Sequence, residues 1–178
     1  MKEELILVDI FDNPIGSGSK ETVHKNGLLH RAFSVFVCSN GKMLIQQRNL
    51  KKYHSEGLWT NACCSHPRKG EELSEAVSKR LKEELGVEFP TKEVFSFVYR
   101  SEFSNGIIEY EYDHVFIAEY EGEVFPAPDE IASIKWISFN QLRKELTYTP
   151  EKYTVWFQSA APKVLKIYEK IGNNNLKM

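Results

Sequence analysis

Two short runs carry residue types that could do chemistry together: Cys63-Cys64-Ser65-His66-Pro67 and Glu109-Tyr110-Glu111. The second reads as strand, where a period of two sends Glu109 and Glu111 to one face. Two carboxylates side by side repel unless they share a cation or a proton, so the pair invites a metal ion or a raised pKa. His24, His30 and His66, in or next to segments read as loops, add imidazole. Imidazole with carboxylate suits manganese, zinc, iron or magnesium rather than a thiolate-selected ion. Two solvated glutamates on an exposed strand would give the same Glu-x-Glu pattern. The Cys63/Cys64/His66 run could also be half of a structural zinc site, but no second cysteine pair follows at finger or ribbon spacing. Cys38 reads as a small core residue, and His54 and His114 need no function.

The elements that must position these residues are legible as periodicities. β-Branched and aromatic runs at Glu4–Asp9, Phe33–Cys38, Met43–Arg48, Val94–Arg100, Ile108–Tyr120 and Ile134–Ile137 predict strands. Asn40-Gly41 predicts a hairpin turn between the second and third. Leu73, Ala76, Val77, Leu81 and Leu85 recur at helical spacing, with Gly86 placed as a C-cap. Further helices are expected near Phe139–Leu146 and Pro162–Ile171, the segment around Trp156 reads as helix or loop, and the tail 172–178 is expected to fray. Strands framing a central helix, with more helix at the end, indicate an α/β (α+β layered) domain spanning 1–178.

Composition narrows the partner. The chain has 178 residues, 42% hydrophobic, enough for one core without staples. A net charge of -2 offers no basic excess for nucleic acid or anionic lipid, so a small ligand is expected. The N-terminal hydrophobic run is too short for a secretory or membrane segment, and three cysteines cannot form a fully paired framework. A cytoplasmic protein with free thiols, as a monomer or weak dimer, is expected.

The run Trp59-Thr60-Asn61-Ala62-Cys63-Cys64-Ser65-His66-Pro67 resembles the W-T-N-x-x-C-x-H-P signature of type I isopentenyl-diphosphate isomerases. His24, His30 and Ile108-Glu109-Tyr110-Glu111 fall where that family carries the rest of its metal site. The interval from His24 to His30 is one residue tighter than in the bacterial family pattern. The resemblance implies a Nudix-like fold, a mixed central sheet packed between helices, with an N-terminal extension to about residue 30 contributing metal and diphosphate ligands. Against the hydrolase box of Nudix pyrophosphohydrolases, Ser65 stands for the first glycine, Glu71 for the first glutamate, and Lys79-Arg80 where Arg-Glu belongs. Replacing a metal-binding carboxylate by Arg80 favours holding a diphosphate over cleaving it. Arg80 could equally pair with Glu84 one helical turn on.

By the same resemblance, His24, His30, His66, Glu109 and Glu111 would bind one divalent ion, manganese, magnesium or zinc. Cys64 and Glu111 would exchange protons with isopentenyl diphosphate, and Tyr99 and Trp156 would stabilise the cationic intermediate. Lys20, Arg48, Lys52 and Arg80 would hold the diphosphate, with Glu84 near a substrate-borne magnesium. The alternatives are a Nudix-type diphosphate hydrolase and a non-catalytic protein with a structural metal site.

Overall fold

The chain is arranged about one strand, β3 (His30–Ser39), in a computed structural model that describes residues 4–175. Before it come β1 (Glu4–Val8), β2 (Pro14–Ser19) and α1 (Lys20–Asn26). After it come β4 (Lys42–Arg48), β5 (Trp59–Thr60), β6 (Cys63–Ser65) and α2 (Leu73–Leu85). The remainder is β7 (Lys92–Glu102), β8 (Ile108–Glu119), β9 (Ile131–Ser138), α3 (Phe139–Tyr148), a 3-10 turn at Pro150–Lys152, and α4 (Val155–Asn175).

One edge of β3 is filled along its length by β8, parallel, in the register His30 to Glu111 through Cys38 to Glu119. The other edge is shared. β1 meets it at His30, β6 at Phe33 to Val35, and β4 at Val37 to Ser39. β4 then diverges to pair with β5 and β9, while β7 closes the far side of β8. The sheet is mixed, as the family resemblance implies, and its strands include the two- and three-residue β5 and β6 that propensity does not resolve.

Alternation sorts the core. Phe36 and Cys38 of β3, with Val115 and Ile117 of β8, pack under α4 against Phe157, Ala161 and Val164. Phe33, Val35 and Val37, with Phe116 and Ala118, pack under α2 against Ala76, Val77, Leu81 and Leu85. Asn40 and Gly41 turn the β3–β4 hairpin with φ of 49° and 71°, the left-handed pair that an Asn-Gly turn supplies.

Three expectations change. The segment 14–26, read as loop, is an edge strand and a short helix. Ser19 caps α1 by accepting from the Thr22 N–H, and Gly27 ends it at φ 59°, where a side chain would strike Ile108. The last helix starts at Val155, not at Pro162, which lies inside it. Burial of Trp156, Phe157, Ala160 and Ala161 on one side outweighs the hydrogen bond that Pro162 cannot make. The same helix runs to Asn175, into the tail expected to fray, and residues 176–178 lie outside the described ones. Among the described residues no helix is long and apolar enough to cross a membrane.

Because Phe157 is fully buried between α4 and the sheet, Phe157→Ala should lower unfolding stability by about 3–5 kcal/mol in urea titrations. Phe11→Ala, at a position 76% exposed, should stay within about 0.5 kcal/mol of the parent.

Candidate active site

Strand register brings the chemistry together. His30 opposes Glu111 across β3 and β8, and Ser34 opposes Cys64 across β3 and β6. These four therefore share the face of the sheet that α4 covers, while Cys63, opposite Val35, joins the core under α2. On β8 the same period aligns Glu109, Glu111 and Asp113, and on β7 Tyr99 lies opposite Glu111.

His24 comes to this group from α1, not from a loop, and His66 from just after β6. One ligand atom each of His24, His30, His66 and Glu111 lies within 4.8 Å of the others. The His24 and His30 rings meet at 4.9 Å, so the tighter interval between them does not keep them apart. His66 Nε2 is 2.8 Å from Glu111 Oε1 and His30 Nε2 is 3.7 Å from the same oxygen. Nδ1 of His30 sits 2.8 Å from the Leu28 carbonyl, which points Nε2 inward.

Charge and burial suit this group to a cation. Burial, aided by His66 and His30, pushes His24 down to about 3, and burial pushes His66 down to about 4 against the pull of Glu111. Burial would raise Glu111, but His66 and His30 outweigh it and hold the carboxyl well below the usual range. At neutral pH His24 and His66 are neutral imidazoles beside the Glu111 carboxylate. The buried Nε2 atoms of His24 and His30 have no hydrogen-bond partner, a cost of about 1–3 kcal/mol each that a cation would relieve. The residues fit a divalent metal.

Glu109, expected as a fifth ligand, stands beside this set rather than within it. Its Oε1 is 2.9 Å from His54 Nε2, and its Oε2 is 3.2 Å from the Tyr99 hydroxyl, which donates to Glu111 Oε2 at 2.7 Å. His54, to which the sequence assigned no task, is thus a buried member of the site. A lone histidine in a polar loop carries no pattern that would have revealed it.

The remaining expected residues line the same cleft. Cys64 faces it, its thiol raised by burial and by the Glu84 charge and so kept protonated. Trp156 donates its indole N–H to Asn61 Oδ1 at 3.2 Å and presents its ring 5.2 Å from the Arg48 guanidinium. Asn61 in turn donates to the Val35 and Cys63 carbonyls, so the Thr-Asn of the motif holds β6 in place. Lys20 Nζ lies 5.0 Å from the Tyr53 ring centre. Arg80 is shared among Glu84 at 2.6 Å, Glu130 at 2.8 Å and Glu83 at 3.2 Å. Lys52 also pairs with Glu130, and Gln46 donates to Glu84. Glu130, and the contact of Gln46 to Glu84, depend on partners distant in sequence and are not legible in it.

Residues 28–157 match the NUDIX domain family. An isopentenyl-diphosphate Delta-isomerase 2 of Photorhabdus laumondii is 51% identical over 159 residues, 89% of this chain and 90% of the relative. An isopentenyl-diphosphate Delta-isomerase of Serratia proteamaculans is 47% identical over 177 residues, 99% and 95% of the two chains. Among solved structures, a protein from Deinococcus radiodurans superposes with a TM-score of 0.68 at 20% identity, covering 83% of this chain and 90% of that one. The MutT protein from Methanosarcina mazei does so with a TM-score of 0.60 at 16% identity, over 81% and 95%. At these identities the structural neighbours speak to the fold alone.

A depressed histidine makes stability pH-dependent. His24 titrates near 6.5 when unfolded and near 3 when folded, so its neutral form is favoured above 6.5 and the advantage is lost as pH falls through that window. In metal-free protein, the urea midpoint of His24→Gln should therefore gain on that of the parent as pH drops from 7 to 5. A constant difference across the range would contradict the burial of a neutral imidazole.

Proposed function

This chain belongs to the isopentenyl-diphosphate Delta-isomerase family, built on the NUDIX domain, and we propose that it interconverts isopentenyl and dimethylallyl diphosphate by proton transfer involving Cys64 and Glu111. One observation carries the assignment of the pair: the two side chains reach one cleft from strands on opposite edges of β3. Moving a double bond this way requires a proton delivered to the terminal alkene carbon and another removed on the far side, so two opposed groups are needed. With the thiol protonated and Glu111 ionised, the pair holds one transferable proton. One group donates while the other accepts, and the roles exchange in the reverse direction.

His24, His30, His66, Glu109 and Glu111 are the proposed ligands of the divalent ion, manganese, magnesium or zinc. When bound, it supplies a fixed positive charge that lowers the proton affinity of the carboxylate it touches. In this reading the Tyr99 and Trp156 rings, which line the cleft, would stabilise the charge that develops on carbon, a desolvated aromatic face being worth about 2 kcal/mol or more to a cation. Tyr99 also fixes Glu111 through its hydroxyl.

Lys20, Arg48, Lys52 and Arg80 are proposed to hold the diphosphate, the two arginines by bidentate contact. Arg80, already shared among carboxylates, would exchange part of that pairing for phosphate oxygens, leaving Glu84 for a magnesium carried by the substrate. The N-terminal extension to about residue 30 supplies Lys20, His24 and His30 in this reading. Cytoplasmic location, a monomeric or weakly dimeric state and a small-molecule partner complete the proposal.

Cys64→Ala and Glu111→Gln should each reduce kcat for double-bond movement by about 10²–10⁴-fold, whereas Cys63→Ala, altering the core behind β6, should retain most turnover. Equal losses at Cys63 and Cys64 would refute the assigned pair. Phosphate release without isomerisation would refute the reaction class.

A further inference from the structure

The loop between β4 and β5 turns one imidazole inward. His54 is 4% exposed, although its neighbours Tyr53 and Glu56 are exposed. Ser55 immediately after it adopts φ 51°, a left-handed conformation uncommon outside glycine. Backbone so constrained persists only where the surroundings determine it. Those surroundings are specific. Phe103 stacks on the His54 ring at 4.5 Å, and the Trp156 ring stands edge-on at 6.2 Å. Arg48 donates to the His54 carbonyl at 3.2 Å, and Asn105 donates to the Tyr53 carbonyl at 2.6 Å.

The ring itself meets a carboxylate. Nε2 is 2.9 Å from Glu109 Oε1, and Nδ1 is 3.2 Å from the Ser55 hydroxyl. With Tyr99 near Oε2, both oxygens of Glu109 are held. Such a buried contact is costly to form unless both partners are fully satisfied, which makes it a poor device for stability alone.

We propose that His54 is a positioning residue for Glu109, fixing the carboxylate toward the divalent ion of His24, His30, His66 and Glu111. It thereby ties the loop that carries Lys52 to the strand that carries the metal ligands. The inference rests on the reading of Glu109 as a ligand of that ion, and it concerns geometry that the ligands cannot supply themselves. Partners of this kind orient metal ligands, and their loss typically weakens metal binding about 10–100-fold.

The test is calorimetric titration of the metal-free full chain with manganese chloride, without substrate. His54→Phe keeps the stacking on Phe103 and removes the contact to Glu109. His54→Gln keeps an amide donor at the Nε2 position. The phenyl variant should bind manganese about 10–100-fold more weakly, and the glutamine variant should stay within a few-fold of the parent. In a Glu109→Gln background the phenyl change should have no further effect. Should the phenyl variant not fold, His54→Asn, whose amide is too short to reach Glu109, must show the same loss.

Unchanged or tighter binding in the phenyl or asparagine variant would overturn the proposal, as would equal losses in the glutamine and phenyl variants or a parent that binds no manganese. An enzyme that binds manganese in this pattern yet fails to isomerise would refute the functional reading and leave His54 its role.

Discussion

His30 lies opposite Glu111, and Ser34 lies opposite Cys64, because β3 is held in fixed register by a parallel strand on one edge and an antiparallel one on the other. A slip of one residue would turn Cys64 into the α2 core and bring Cys63 into the cleft, since side chains alternate with a period of two. The two apolar layers pin that register. Phe33, Val35 and Val37 fill one face and Phe36 and Cys38 the other, so a slip would misplace both. The site thus depends on packing remote from it.

That dependence explains why the site can hold so much unsatisfied polarity. Three imidazoles, two glutamates and Asp113 are clustered on or beside one strand face, and Asp113 is raised by burial and by the Glu111 charge even though Ser34 donates to it. Each such group costs free energy when taken from water. The two core layers offset this cost, leaving ligand atoms of His24, His30, His66 and Glu111 within 4.8 Å of one another. Around Arg80 and Lys52 the compensation is ionic, both being neutralised by carboxylates, Arg80 by Glu84 and Glu130 and Lys52 by Glu130.

Much of this was readable beforehand, for physical reasons that differ by residue. The α2 helix and the long strands announce themselves because burial on one face imposes a period. Cys64 was singled out from Cys63 by motif spacing, and the alternation of β6 supplies the physical cause. His24 reads as loop because seven residues, Lys20–Asn26, are too few for a helical period to emerge, and Pro14–Ser19 is rich in the glycine and serine of a loop. That edge strand exists only through its pairing with β1, a tertiary fact. His54, Gln46 and Glu130 were silent for the same reason, since each takes its meaning from partners distant in sequence. Pro162 misled in the other direction, marking a start where a well-packed helix passes through.

Proton transfer by Cys64 and Glu111 would put the hydrogen delivered to substrate carbon in exchange with solvent. Turnover of isopentenyl diphosphate in deuterium oxide with magnesium and manganese, followed by NMR, measures that directly. Deuterium on a methyl carbon of dimethylallyl diphosphate, with the diphosphate intact, is the result the account predicts. Product free of deuterium, or phosphate released with the double bond unmoved, would contradict it.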